Sequence, residues 1–445
     1  MKTFKIGGIH PHDNKLSAGR RFEQVPVPKE VIIQLNQHIG APAIPIVEPG
    51  EEVKVGQLIA KANGFVSANI HSSVSGKVSK IDTITDAWGT RQQAIFIDVE
   101  GDVWMPDIDT SCKFKPTCNL SAEVIKQKIA DAGIVGLGGA CFPTHVKLNP
   151  PKEHAIDTLI INGAECEPYL TPNHRLMIEK GEEIMVGVQI LMRALGVDRA
   201  LIGIESNKQD AIDELDRIAA RKEGIEVIKL KKKYPQGGEK QLIQALTDRE
   251  VESGQLPSSV GVVVQNIATV FAVYEAVQLN KPLIEMYMSI SGKEMEQNGN
   301  FCARIGTSVK DVVAMIGGMP ENTGKIIAGG PMMGKAMIHI DTPVTKRTTG
   351  ITFISAKSAP RFKASACIRC ARCIQACPMG LEPYLLYKKA LRQDWDFMEA
   401  HHIMDCMECG CCTFTCPSRQ PLLDYIRVGK ATVANNIRAR KSNEK

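Results

Sequence analysis

Between residues 43 and 81 the apolar positions come in short stretches punctuated by glycine, as in IPIVEPGEEVKVGQLIAKANGF and then IHSSVSGKVSKI. That rhythm predicts a small, folded-over β sandwich. From Ser121 the period lengthens. Residues 121–133 read as an amphipathic helix with Ser121 at the N-cap and Gly133 just past its end. A glycine-rich loop follows, then a strand at 158–161, a helix at 177–195, a strand at 199–204, a helix at 209–221 and a strand at 225–230. Helical patterns return at 239–246 and 269–279. This alternation predicts an α/β domain with a substantially parallel sheet. A smaller α/β unit is expected over 283–353, with strands at 285–291 and 300–305, a helix starting at Ser308 and a strand at 326–328. Lys/Thr-rich residues 343–349 and residues 358–364 read as linkers to a last domain that is helical around its cysteines. The expected fold class is therefore multidomain α/β, divided as 1–110, 111–282, 283–355 and 356–445.

Two of these units resemble known modules. The N-terminal β-rich unit is similar to biotinyl/lipoyl hammerhead (barrel-sandwich) domains. Their exposed hairpin carries a modifiable lysine, whereas the equivalent stretch here is Asn63-Gly64-Phe65-Val66. The resemblance implies the fold without the swinging arm. The 283–355 unit resembles the soluble-ligand-binding β-grasp module.

Composition narrows the function classes. The 445 residues carry a formal net charge of +5, which is no nucleic-acid footprint, and aromatics make up only 5%. Much of the positive charge sits in two runs, Lys229 with Lys231 to Lys233, and a tail with Lys430, Arg438, Arg440, Lys441 and Lys445. Both read as solvated faces; the sharper alternative is docking to an acidic partner or to anionic lipid. Residues 1–8 are too short and polar for a signal peptide, and no uninterrupted apolar run reaches the ~18 residues of a membrane span. The best stretch, 260–277, is broken by Gln265, Asn266 and Glu275. A cytoplasmic protein that meets a membrane only through partners is expected.

Of the 14 cysteines, eight fall in two C-terminal runs. Clustered cysteines without a secretion signal point to metal rather than to disulfides. The runs are Cys367-x-x-Cys370-x-x-Cys373-x-x-x-Cys377-Pro378 and Cys406-x-x-Cys409-x-x-Cys412-x-x-x-Cys416-Pro417. Each is the bacterial two-cluster ferredoxin spacing, in which the fourth cysteine ligates the other cluster. Three cysteines at i, i+3 and i+6 wrap one face of a cube, and the fourth, beside a turning proline, points elsewhere. Cys367, Cys370, Cys373 and Cys416 are therefore assigned to one [4Fe–4S] cluster, and Cys406, Cys409, Cys412 and Cys377 to the other. A zinc site is the bland alternative, but zinc sites usually use two CxxC pairs separated by a longer loop. Cys411 reads as a packing residue. Iron–sulfur clusters move one electron at a time, so the pair forms a wire, and a wire needs a terminal.

The candidate terminal is Gly136-Leu137-Gly138-Gly139-Ala140-Cys141-Phe142-Pro143-Thr144, with Lys147 after it. Alone, such a loop is a weak signal and could be a flexible turn. It is a poor dinucleotide fingerprint, since a helix rather than a strand precedes it. Its companions are Asn162-Gly163-Ala164-Glu165-Cys166-Glu167-Pro168, Tyr234-Pro235-Gln236-Gly237-Gly238-Glu239, and Gln265-Asn266-Ile267-Ala268-Thr269. Glycines let a backbone present its N–H groups to phosphate, and a lysine adds a point charge. In this order the elements resemble the flavin- and NADH-binding subunit of respiratory complex I. That resemblance implies FMN and NAD(H) contacts at Gly136, Gly138, Gly139, Phe142, Lys147, Asn162, Glu165, Glu167, Tyr234, Glu239, Asn266 and Thr269. Leu137, Ala164 and Lys240 depart from the pattern, standing where Arg, Asp and a second Glu are usual.

The opening Gly7-Gly8-Ile9-His10-Pro11-x-x-Asn14-Lys15 and the later Gln37-His38-Ile39-Gly40-Ala41-Pro42 complete a longer order of motifs. Taken whole, the chain resembles the RnfC family, a component of the Rnf-type ferredoxin:NAD+ oxidoreductases that couple electron flow to ion translocation. The resemblance implies a peripheral subunit on the cytoplasmic face of the cell membrane, with FMN, two [4Fe–4S] clusters and NAD(H) as substrate. Its implied partners are the other subunits of a membrane redox pump, with ferredoxin reached through one of them. Hydride transfer needs no acid–base side chain, so none is named as catalytic. His10 and His12 are expected to cap or pack. The alternatives are a soluble flavin/iron–sulfur reductase such as a cobalamin reductase, and an electron-wire scaffold without flavin.

Overall fold

The computed structural model describes residues 1–111, 113–360 and 362–443; Lys445 of the basic tail lies outside them. Its centre is a parallel four-stranded sheet ordered Ile225–Leu230, Ala200–Glu205, Thr158–Asn162, Val262–Asn266. Three of these strands are short, almost continuously buried runs, as a sheet covered on both faces requires, whereas the edge strand Ile225–Leu230 alternates and exposes Glu226 and Lys229. Alternation divides their side chains between two cores. Leu159, Ile161, Ala200, Ile202 and Val263 join the core built with helices Gly181–Leu195, Gln209–Ala219 and Ile267–Leu279. Ile160, Leu201, Val262 and Val264 pack with Leu242, Ile243 and Leu246 of helix Glu239–Thr247 on the other face.

Local signals explain most boundaries. Ser121 accepts the Val124 N–H at the start of helix Ala122–Asp131, and Gly133 follows its end at φ +63°. The helix expected over 177–195 is instead two, Pro172–Glu179 and Gly181–Leu195, broken at Lys180. The first of these starts where the Glu165 carboxylate accepts the N–H groups of Asn173 (2.8 Å) and His174 (3.2 Å), a cap supplied from outside the helix.

The N-terminal region forms an antiparallel sheet, Glu30–Gln34, Arg91–Val99, Gly76–Thr85 and Glu52–Val53, facing a smaller one of Ile44–Pro45, Leu58–Lys61 and Ile70–His71. Val31, Ile33, Ile59, Ile70, Val78, Ile95 and Ile97 fill the space between. A third sheet has six strands, Phe22–Gln24, Gly299–Arg304, Glu285–Gly292, Gly350–Ser355, Thr323–Ala328 and Lys335–Ala336. It borrows its edge strand Phe22–Gln24 from the N-terminal region, in parallel pairing with Gly299–Arg304.

Residues 343–349 are not a linker, because the central strand Gly350–Ser355 of that sheet comes after them. Lys346 within this segment is 1% exposed and donates to the carbonyls of Asn69 (2.9 Å) and Gly133 (2.7 Å). The 229–233 run is not simply a solvated face either. Lys232 pairs with Asp13 at 3.0 Å and the Lys233 ammonium lies 4.0 Å from the centre of the Phe4 ring. The chain ends in short helices around the cysteines and the long helix Leu422–Asn443, in which Lys430 pairs with Glu408 (3.5 Å) and Arg440 with Glu399 (2.5 Å).

Candidate functional site

In chain order the parallel strands run 3-2-1-4, so the crossovers diverge between Thr158–Asn162 and Val262–Asn266. Ligands of open α/β sheets bind at the carboxyl ends of the two strands flanking such a switch point. Those ends are Asn162 and Asn266, which are register partners. Asn266 caps helix Ile267–Leu279 by accepting the Ala268 N–H at 2.9 Å. Asn162 donates to the Gly237 carbonyl at 2.8 Å and accepts the Ala164 N–H at 3.2 Å.

The glycine-rich loop closes on itself over this point. Gly136 N–H donates to the Phe142 carbonyl (2.9 Å) and Cys141 N–H to the Gly136 carbonyl (3.1 Å). The Thr269 hydroxyl accepts the Leu137 N–H at 2.8 Å, tying the loop to the first turn of helix Ile267–Leu279. A Cβ at Gly138 would stand 3.4 Å from Asn266, while one at Gly139, at φ +120°, would meet nothing. Gly138, Gly139 and Ala140 are exposed and Phe142 is half-buried. Lys147, one turn on, pairs with Glu239 at 2.6 Å and donates to the Val264 carbonyl at 3.2 Å. The structure thus brings Gly136, Gly138, Gly139, Lys147, Asn162, Glu239, Asn266 and Thr269 around one switch point. Exposed glycine backbone, a helix N-terminus and a cation form a donor set that fits a phosphate-bearing flavin.

The acidic pair sits differently. Glu165 caps helix Pro172–Glu179. Glu167 accepts the N–H groups of Met332 (3.2 Å) and Met333 (2.5 Å), in the segment after strand Thr323–Ala328. Burial pushes the Glu167 carboxyl up to about 7. Sequence reasoning assigned no role to Lys15, whose ammonium donates to the carbonyls of Glu165 (2.8 Å), Glu167 (2.9 Å) and Leu170 (2.5 Å) and so shapes the whole turn. Desolvation lowers Lys15 to about 8. Its signal was its place in the opening motif. His10 contacts the Lys232 carbonyl at 3.2 Å, and His12 is exposed.

The residues that departed from the flavin pattern have other tasks. Leu137 is a buried core residue. Ala164 is buried, and its carbonyl accepts Lys208 at 2.6 Å. Lys240 donates to the Glu252 carbonyl at 2.9 Å and lies 4.0 Å from Asp405.

Two recesses in the cysteine-bearing region follow the crossed assignment. Cys367, Cys370, Cys373 and Cys416 line one. Cys377, Cys406, Cys409 and Cys412 line the other, with Cys411 and apolar residues and, among the described residues, no carboxylate or histidine. An all-sulfur donor set in apolar surroundings suits iron–sulfur clusters. Burial pushes Cys406 up to about 11 and Cys412 up to about 12, and a bound metal would favour their thiolate forms. Cys377, Cys409 and Cys412 are buried, whereas Cys367 and Cys370 are exposed, which makes the second recess the inner one.

The inner recess abuts the parallel-sheet domain. Tyr234, 2% exposed, donates its hydroxyl to the Cys409 carbonyl at 2.8 Å, and Gln241 donates to the Pro378 carbonyl at 3.1 Å. Gly8 N–H reaches the Ala376 carbonyl at 3.0 Å, and Ile9 exchanges two backbone hydrogen bonds with Tyr234. Ile9, Tyr234, Ala376, Cys409 and Cys411 form one apolar cluster, with Cys166 and Met407 against it.

Comparison with known proteins fits this layout. Residues 2–102 match the RnfC barrel sandwich hybrid domain, 129–275 the Nuo51 FMN-binding domain, 287–336 the SLBB domain and 359–417 a 4Fe-4S dicluster domain. The chain is 44% identical to the C subunit of the proton-translocating ferredoxin:NAD(+) oxidoreductase complex of Clostridium ljungdahlii, over 97% of this chain and 94% of that one. It is 41% identical to the C subunit of the Na(+)-translocating ferredoxin:NAD(+) oxidoreductase complex of Acetobacterium woodii, over 97% of each chain. With the C subunit of the ion-translocating oxidoreductase complex of Rhodobacter capsulatus it shares 42% identity over 87% of this chain and 75% of that one. Among solved structures, a chain of an NAD+-reducing [NiFe]-hydrogenase in the H2-reduced state superposes with a TM-score of 0.52 at 19% identity, covering 70% of this chain and 60% of that one. That likeness concerns the fold.

Proposed function

The chain belongs to the RnfC family of ion-translocating ferredoxin:NAD(+) oxidoreductase complexes, and from that premise we propose that it exchanges electrons between NAD(H) and its partner subunits through FMN and two [4Fe–4S] clusters. The observation that carries the reading is the join between its halves: Tyr234, beside the glycine pair Gly237-Gly238 of the switch point, bonds directly to the cluster cysteine Cys409. A two-electron site and a one-electron wire in contact are what this conversion requires.

In this reading 111–282 is a Rossmann-like FMN and NAD(H) domain, 1–110 a hammerhead-like barrel sandwich, 283–355 a β-grasp module and 356–445 the ferredoxin-like domain. When bound, FMN supplies the exchange of a hydride with NAD(H) on one side and single electrons on the other. The chain's own residues bind and orient. The backbone of Gly136, Gly138 and Gly139 and the N-terminus of helix Ile267–Leu279 hold phosphate, and Lys147 balances its charge. Asn162 and Asn266, at the two strand ends, would help hold the flavin. Phe142 and Glu239 would contribute to nucleotide binding, and Tyr234 would hold the segment that carries Cys409 against this domain. Glu165 and Glu167 act by fixing the turn beside the cradle. Cys377, Cys406, Cys409 and Cys412 hold the inner cluster, and Cys367, Cys370, Cys373 and Cys416 the outer one. No helix among the described residues is long and apolar enough to cross a membrane. The relatives belong to ion-translocating complexes, which supports a peripheral place for this subunit on the cytoplasmic face of the membrane.

Anaerobic purification, flavin extraction and the spectrum after NADH addition test this. One equivalent of FMN, bleaching by NADH and iron with acid-labile sulfide in eightfold amount are expected from two four-iron clusters. Gly138→Val pushes a branched side chain against Asn266 and should abolish flavin binding and NADH-dependent dye reduction while iron content stays unchanged. Zinc in place of iron, or flavin-free protein from anaerobic preparations, would refute the reading.

A further inference from the structure

The outer recess differs from the inner one in charge. Among the described residues its charged lining consists of Arg369 and Lys388, both cationic. Arg419 sits between the lining residues Ser418 and Gln420, with its guanidinium 3.7 Å from the centre of the Phe362 ring. Among the described residues none of these three cations forms an ion pair. The lining of the inner recess carries no charged side chain among the described residues, and beside it Arg427 and Lys430 share the Glu408 carboxylate, at 3.1 and 3.5 Å. Unmatched charge is accompanied by unmatched apolar surface, since Ile368 is 67%, Phe362 57% and Leu391 50% exposed. Cys367 and Cys370 lie exposed at the centre of this rim.

An interface core that is apolar and ringed by one sign of charge steers a partner of the opposite sign into register. Here the register would set the partner against the exposed edge of a cluster. We propose that the rim of Arg369, Lys388 and Arg419 with Phe362, Ile368 and Leu391 is the docking surface for an acidic iron–sulfur protein or domain. This rests on the function proposed above and adds where the wire ends and which partner charge it accepts. In each encounter one electron crosses: the partner's cluster is oxidised by one electron as the outer cluster is reduced by one, or the reverse, with no bond made or broken.

The test uses the full chain with flavin and clusters, and as probe a small acidic two-cluster bacterial ferredoxin reduced beforehand. Stopped-flow spectra give the second-order rate of electron delivery from the probe. The expected rate falls at least tenfold between about 50 and about 500 mM salt. Lys388→Glu/Arg419→Glu lowers the low-salt rate at least tenfold, and Lys388→Gln/Arg419→Gln falls between. Iron content, flavin content and reduction of the clusters by NADH stay at wild-type levels in both variants. A rate independent of salt, or unchanged in the charge-reversed variant, would overturn the proposal. So would a variant whose slower transfer is fully accounted for by a shifted midpoint potential of the outer cluster, because the cations would then serve the cluster's own charge. Loss of binding to phosphatidylserine vesicles with an unchanged ferredoxin rate would assign the rim to a membrane instead. Failure of NADH to reduce the clusters in the wild type would strike the function itself and leaves a separate signature.

Discussion

The Tyr234 hydroxyl donates to the Cys409 carbonyl across 2.8 Å, joining the parallel-sheet domain to the loop that lines the inner recess. Both groups are buried, so neither has water as a substitute partner. Tyr234→Phe leaves the ring in place and orphans the carbonyl, which costs about 1–3 kcal/mol. The expected protein keeps its flavin and iron but passes electrons from the NADH-reduced flavin to the inner cluster several-fold more slowly. Rapid-freeze EPR of the NADH reaction measures this. A wild-type rate would reduce the contact to a structural one.

The crossed cysteines give a second expectation. Cys416 belongs to the second run yet lines the outer recess, and Cys377 belongs to the first run yet lines the inner one. Cys416→Ser should therefore disturb the cluster of Cys367, Cys370 and Cys373 and leave the inner cluster reducible by NADH. Cys377→Ser should damage the inner cluster and interrupt the path from NADH. EPR of the two dithionite-reduced variants should show different surviving signals. The exchanged outcome, with Cys416→Ser interrupting reduction by NADH and Cys377→Ser sparing it, would mean that each run closes its own cluster.

Much of this layout was legible because its signals are local. Alternation and caps marked helix Ala122–Asp131 and strand Ile225–Leu230, and cysteine spacing marked the two runs. The misreadings share one cause, a partner far away in the chain. Residues 343–349 look like a polar linker until Lys346 is seen to bond to Asn69 and Gly133, 277 and 213 positions away. The alternating GITFIS that follows was the available hint of a strand. Just after the break at Lys180 stands Gly181, where a Cβ would lie 2.9 Å from Ile218 of a helix far along the chain. Glu165 and Glu167 carry the right chemistry for a nucleotide cavity, and no local pattern showed that their carboxylates also accept backbone N–H groups.

Lys147 and Glu239 form a half-exposed pair at 2.6 Å. Such a pair contributes little to stability in water, so its removal should leave folding almost unchanged. An arriving phosphate would share the ammonium, and a hydrogen bond to a charged group is worth about 1.5–3 kcal/mol. Lys147→Met should therefore weaken flavin or nucleotide binding by about 10- to 100-fold. Glu239→Gln removes the competing carboxylate and should weaken it less. Flavin fluorescence titration of the apoprotein and the KM for NADH separate the two ligands. Equal, wild-type values for both in Lys147→Met would remove this lysine from the site.

Lys346 supplies the pH-dependent expectation. Its ammonium is enclosed between Asn69 and Gly133 with, among the described residues, no carboxylate beside it, and desolvation lowers it from 10.5 to about 7. The folded protein therefore holds this proton less tightly than the unfolded chain does. Below pH 7 both states are protonated and the full cost of burying the charge is present. From about pH 7 to 10.5 the unfolded state binds more protons, so stability rises with pH as the folded lysine becomes neutral. A displacement of this size is worth at most about 4–5 kcal/mol. Lys346→Met removes the charge and leaves two carbonyls without a donor, at about 1 kcal/mol each in lost hydrogen bonds. The absolute melting temperature at pH 7 thus reflects a near balance, and the slope is the sharper readout. Thermal melts of the wild type should climb between pH 7 and 10 relative to those of Lys346→Met, whose profile lacks this component. Parallel profiles would mean that the buried ammonium keeps its proton throughout, and that its two carbonyl bonds outweigh the loss of water.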